Sequence, residues 1–174
     1  MPCLCAVALA GCVQSTLGPP TDLDAFLSFT NPTICEAAPA HDRFIRAMVG
    51  GDANAGFRPG RLVVPDRLRS AFGSIRVEQH DGYWTIGLPV SGTMFGLPLR
   101  RIVQWSPEGG DPGGVAYHFN VPAEELAGAL RARGFPAKVG EAVQLGPPDG
   151  YEYTLEVRPD PDQQGGALFS CDYS

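Results

Sequence analysis

The sequence predicts an α+β fold, a single domain with a mostly antiparallel sheet and two or three short helices. Three observations carry that expectation. Residues 75–88 hold two alternating runs around Asp81-Gly82, a dipeptide suited to the positive φ of a type I′ hairpin turn. Residues 122–133 read as an amphipathic helix with Glu124 and Glu125 in its first turn and Arg131 and Arg133 in its last, matching the macrodipole. About seven short apolar runs, most of them separated by turns rather than by helices, favour antiparallel connections.

Taken in order, a first helix is expected from Pro39, since proline suits the first helical turn, with Phe44, Ile45 and Met48 on one face and Gly50-Gly51 as the stop. Leu62–Val64 reads as a short strand, and Asp66–Phe72 as one or two helical turns ended by Gly73. In the hairpin, the two-residue turn sets His80 opposite Tyr83, Gln79 opposite Trp84 and Val77 opposite Ile86. Ile75, Val77, Trp84, Ile86 and Leu88 then share one face, and Arg76, Glu78, His80 and Thr85 the other. Val90–Pro98 reads as a glycine-punctuated loop or irregular strand, Leu99–Trp105 as a strand, and Glu108–Gly114 as a loop. Val115–Phe119 follows as a strand with His118 on its polar side, and the helix from Pro122 stops at Gly134 and Pro136. A short strand is expected within Lys138–Leu145, a half-buried one over Tyr151–Arg158, and a last one carrying Phe169 and Cys171 on one face.

Composition narrows the function. The chain has 174 residues, 19 acidic against 13 basic, for a net charge of −6, and Lys138 is its single lysine. An acidic chain without a Lys/Arg cluster argues against a nucleic-acid partner. No two histidines stand at i, i+4, no Cys/His spacing matches zinc, and Gly-x-Ser-x-Gly is missing. The glycines at 109, 110, 113 and 114 lack the Lys-Ser/Thr of a phosphate loop. Asp160 and Asp162 offer at most a weak calcium site, since two acids in a proline-rich turn make no EF-hand loop. The expectation is a protein without catalytic residues, metal or cofactor. Met94-Phe95 is an apolar pair where a loop would be polar, so it is a candidate contact site, flanked by the acidic loops at Glu108–Asp111 and Asp160–Asp162, unless both side chains tuck onto the core.

The N-terminus carries a resemblance. Leu9-Ala10-Gly11-Cys12 closes a short apolar run with small residues and is similar to the lipobox of bacterial lipoprotein precursors, although Met1–Gly11 lacks the basic start usual for such signals. The resemblance implies a signal peptide over residues 1–11, acylation of the Cys12 thiol, a tether over 12–24 and a single domain over 25–174. It also implies a periplasmic protein held by its lipid. Val13, rather than aspartate, after the lipidated cysteine favours the outer membrane over the inner. With Cys3 and Cys5 removed and Cys12 acylated, Cys35 and Cys171 remain, either as a disulfide or as two buried thiols. The general plan is similar to that of immunity lipoproteins and lysozyme inhibitors of the bacterial envelope. It implies a protein-binding module that inhibits a wall-degrading or periplasmic toxin. A structural or assembly lipoprotein is the alternative, as is a small-ligand carrier using Trp84, Trp105, Tyr151 and Tyr153.

Overall fold

In the computed structural model, residues 20–51, 56–108, 113–146 and 152–173 are described. The chain enters as β1 (Thr21–Asp22) and passes through a small ribbon of β2 (Phe29–Asn31) and β3 (Glu36–Ala37). Helix α1 (Pro39–Ala47) follows, then a second ribbon of β4 (Val49–Gly50) and β5 (Arg58–Pro59), and a 3-10 segment over Asp66–Ala71. The sheet proper is built from β6 (Arg76–His80), β7 (Tyr83–Met94), β8 (Leu97–Pro107) and β9 (Gly114–Phe119). After helix α2 (Ala123–Arg131) it is completed by β10 (Val143–Leu145), β11 (Tyr153–Pro159) and β12 (Ala167–Tyr173). Eight strands run in the order β1-β7-β8-β9-β12-β11-β10, with β6 also on β7, and all but the β1–β7 pair are antiparallel. The domain is α+β with a mostly antiparallel sheet.

Both helices pack on one face of the sheet. Pairings across the strands align Leu88, Ile102, Tyr117, Phe169 and Val157 on that face, all buried. From the helices, Phe44 and Met48 at α1 and Leu126, Ala127 and Leu130 in α2 close the core over them. The hairpin has the expected register, His80 on Tyr83, Gln79 on Trp84 and Val77 on Ile86, but its turn is not type I′: Gly82 is at φ 83° while Asp81 is not at positive φ.

Cys35 and Cys171 stand at disulfide distance, Sγ–Sγ 2.08 Å and Cα–Cα 6.2 Å, which ties the turn after β2 to the last strand. His41 takes a place that its sequence neighbours do not announce. It is fully buried between α1 and the sheet, with Nδ1 3.1 Å from the Ser28 carbonyl and Nε2 2.8 Å from the Tyr117 hydroxyl. A carbonyl only accepts, so Nδ1 carries the proton and Nε2 accepts from Tyr117. Burial pushes the imidazole down to about 4, against the hydrogen bond to Ser28 and the charge of Asp42.

Several expectations are corrected. The Leu62–Val64 strand does not form: no strand among the described residues pairs with it, and Val63 is largely exposed while Val64 is buried. The tether expected over 12–24 overlaps the fold. Thr21–Asp22 pairs with Gly92–Thr93, and Leu23 is fully buried. Gly92 permits this approach, because a Cβ there would lie 2.6 Å from the Thr21 carbonyl oxygen and 2.9 Å from Leu23 Cδ1. Over Val90–Pro98 the irregular-strand alternative holds rather than the loop: β7 continues past a bulge at Pro89–Gly92, and only Phe95-Gly96, both at positive φ (60° and 75°), turn the chain. Residues 1–19, with Cys12 and the lipobox-like Leu9-Ala10-Gly11-Cys12, lie outside the described residues.

Candidate binding face

Among the described residues no helix covers the second face of the sheet, and its side chains follow from the same registers. One row across it reads Arg76, Gly87, Val103, Ala116, Ser170 and Glu156. On one side lies the row Glu78, Thr85, Trp105, Gly114 and Asp172, and on the other Pro89, Arg101, His118, Leu168 and Arg158. Gly87, Ala116 and Ser170 make a low floor between taller neighbours, and the result is a partly open cleft of about 620 Å3. At Gly87 a Cβ would meet nothing within 4 Å.

Trp105 forms one wall. Its indole N–H donates to Asp172 Oδ1 at 3.3 Å across Gly114, where a Cβ would lie 2.2 Å from Asp172 Oδ1 and 2.5 Å from Trp105 Nε1. Burial pushes the Asp172 carboxyl up, partly offset by the Trp105 hydrogen bond and reinforced by the charge of Glu156. Near the hairpin end, Tyr83 is exposed and stacks on His80, ring centroids 4.7 Å apart. His80 is exposed as the residue before the turn, with Nε2 3.0 Å from Thr85 Oγ1.

The opposite wall holds a charged cluster. The buried His118 presents Nδ1 to Asp160 Oδ2 at 2.8 Å, and Asp160 is itself buried after β11. Arg100 pairs with the same Asp160 oxygen, Arg101 pairs with Asp162 at 2.6 Å, and the Asp162 N–H donates to Asp160 Oδ1 at 2.9 Å. Burial alone raises the Asp160 carboxyl, but the hydrogen bonds from His118, the Asp162 backbone and Arg100 outweigh it and hold the group at about 2. Burial pushes the His118 imidazole below its usual value, against the Asp160 hydrogen bond. The neutral ring therefore donates from Nδ1, and the 3.5 Å approach of Arg101 to that nitrogen is proximity rather than a hydrogen bond.

Ligand atoms of His118, Asp160 and Asp162 lie within 4.8 Å of one another, a spacing that a cation can bridge. Here the guanidinium groups of Arg100 and Arg101 already meet both carboxylates, so the cluster is balanced from within. Its work is to pin the turn after β11 against β8 and β9 and so to shape one wall of the cleft.

The residues expected to form a contact patch are not brought together. Met94 is fully buried and Phe95 7 % exposed. The Phe95 ring stacks with Phe119 and lies under the Arg133 guanidinium at 5.2 Å, and its backbone N–H donates to Asp24. Arg133 also pairs with Asp24 at 3.1 Å. The pair thus docks the N-terminal segment and the end of α2 onto the β7–β8 turn, and the exposed-contact expectation for Met94 and Phe95 is withdrawn. Glu108 is exposed beyond the far end of β8, where its Oε1 accepts from Gln79 at 2.9 Å. The length of that strand, roughly 35 Å, separates it from Met94. Asp111 and Tyr151 lie outside the described residues.

The sequence does hold a signal for the open face. Arg76, Glu78, His80 and Thr85 are legible as the polar side of the hairpin, and Ala116 and His118 as the non-core side of β9. Trp84 and Trp105, grouped together on sequence, lie on opposite faces, because Trp105 is opposite Thr85 and not Trp84. In a comparison with known proteins, no family model, no curated protein and no solved structure matches this chain.

Proposed function

We propose that this chain is a cell-envelope lipoprotein that binds a protein partner in the periplasm and inhibits it, in the manner of an immunity protein. The observation that carries the binding reading is the open cleft of about 620 Å3 on the uncovered sheet face. It is only partly enclosed, so it suits a loop of a folded partner better than a small molecule, which a pocket normally surrounds. Its lining combines aromatic, aliphatic and charged groups of both signs, the mixture found in non-obligate protein interfaces. The lipid-anchored, envelope part of the reading rests on Leu9-Ala10-Gly11-Cys12.

The cleft test fills it. Gly87→Phe adds a ring over the floor where a side chain meets nothing, so the fold is retained and the trough is blocked. Capture of a periplasmic protein by the wild type, lost on Gly87→Phe and weakened by Trp105→Ala, is the expected result. Capture that survives Gly87→Phe removes the cleft from the reading. Mass spectrometry of the native protein tests the anchor, with an acylated Cys12 at the mature N-terminus as the expected species and an unprocessed methionine terminus as the refuting one.

A further inference from the structure

The outer edge of the sheet at β6 has a pattern of its own. In a two-residue hairpin the residues flanking the turn exchange backbone hydrogen bonds, so His80 bonds Tyr83, and Glu78 and Arg76 bond Thr85 and Gly87 in the same way. The N–H and C=O groups of Ile75, Val77 and Gln79 consequently point outward. Among the described residues no strand pairs with that outer side and no backbone hydrogen bond covers it. Arg76 and Glu78 are exposed, and no ion pair among the described residues engages either.

We infer that β6 is a self-pairing edge: two copies of this chain join antiparallel along it, with Val77 opposite Val77 of the second copy. That register bonds the outward groups of Val77 to their own counterparts, and those of Ile75 to Gln79 on the other copy. It also sets Arg76 of each copy opposite Glu78 of the other, in the non-hydrogen-bonded positions where side chains approach most closely. Moving the register by one pairing in either direction sets Arg76 against Arg76 or Glu78 against Glu78, and like charges directly opposite are unfavourable. The charge pattern therefore selects a single antiparallel register and a single occupant. Charged side chains on an edge strand usually deter association; here their order makes the edge complementary to itself. The two-fold axis stands perpendicular to the sheet, so the open faces of both copies lie on the same side and their clefts meet at Arg76 and Glu78. The inference does not depend on what the cleft binds.

Sedimentation equilibrium of the whole chain in mild detergent, over a wide concentration range, tests it. The expected result is a reversible dimer that weakens with salt, since the cross-copy pairs are exposed. Glu78→Arg and Arg76→Glu each turn two attractions into two repulsions and should weaken the dimer about tenfold or more. The double swap Arg76→Glu with Glu78→Arg restores opposite charges in the same register and should recover the wild-type constant. A chain that is monomeric at every concentration overturns the inference, including one that binds an added extended peptide along β6 instead. So does a dimer that is indifferent to the single reversals, or one that the double swap fails to rescue.

Discussion

Acidification should remove about 3 kcal/mol of stability through one side chain, His41. The folded imidazole is held at about 4 by burial, whereas an unfolded histidine titrates near 6.5, and that difference corresponds to about 3 kcal/mol. The sign follows from proton counting. Above pH 6.5 the ring is neutral in both states, so the contribution is constant. Between 6.5 and 4 the unfolded chain binds a proton that the folded chain refuses, so stability falls with pH; below about 4 both forms are charged and the loss is complete. His118, also lowered by burial, acts in the same direction, so the readout must isolate His41. His41→Gln serves: its amide offers both a donor for the Ser28 carbonyl and an acceptor for the Tyr117 hydroxyl, and it does not titrate. Urea unfolding followed by tryptophan fluorescence, at pH 7 and pH 4, gives the stability change for both proteins. The expected difference between the two changes is about 3 kcal/mol, with the wild type losing more. Equal losses in wild type and variant would refute the assignment of the neutral buried ring.

Three further expectations follow from particular contacts. Asp160 is held at about 2 against an unfolded value of 3.8, so it contributes about 2 kcal/mol that is present above pH 3.8 and lost as pH falls toward 2. Asp160→Asn should cost a similar amount at neutral pH, read by chemical denaturation. Ellman titration of the unfolded, unreduced domain should find no free thiol at Cys35 or Cys171, and reduction should destabilise it by up to roughly 5 kcal/mol, since the bridge spans 136 residues of sequence. Gly92→Ala should lower stability by about 1–3 kcal/mol and increase hydrogen exchange of the Leu23 amide, because its Cβ would crowd the Thr21 carbonyl and the Leu23 side chain. An unchanged melting temperature would contradict the close approach of β1.

Local pattern was enough wherever the physics is local. Asp81-Gly82 dictates a turn, the turn dictates the register, and alternation then assigns Ile86 and Leu88 to the core and Arg76, Glu78 and Thr85 to the other face. The helix after Pro122 was legible because a cap, a dipole and an apolar stripe coincide within a dozen residues. Phe95 stayed open between core and contact site for the opposite reason. A two-residue turn at positive φ usually calls for small or polar residues, and an aromatic there is tolerated only because Phe119, Arg133 and Asp24, all distant in sequence, enclose it.

The same division holds for the candidate site. Its polar residues could be placed on a face from alternation alone, since a strand's side chains obey a period of two whatever surrounds them. That His118 meets Asp160, 42 residues on, was settled by the return of β12 between β9 and β11. By itself the sequence determined the fold class, the hairpin register and the two helices, because each depends on neighbours along the chain. Only the tertiary structure decided which sheet face the helices cover, where His41 is buried and how Arg100, Arg101, His118, Asp160 and Asp162 neutralise one another. Those outcomes depend on strand order, and strand order is set by the burial of the whole apolar surface at once rather than by any segment of it.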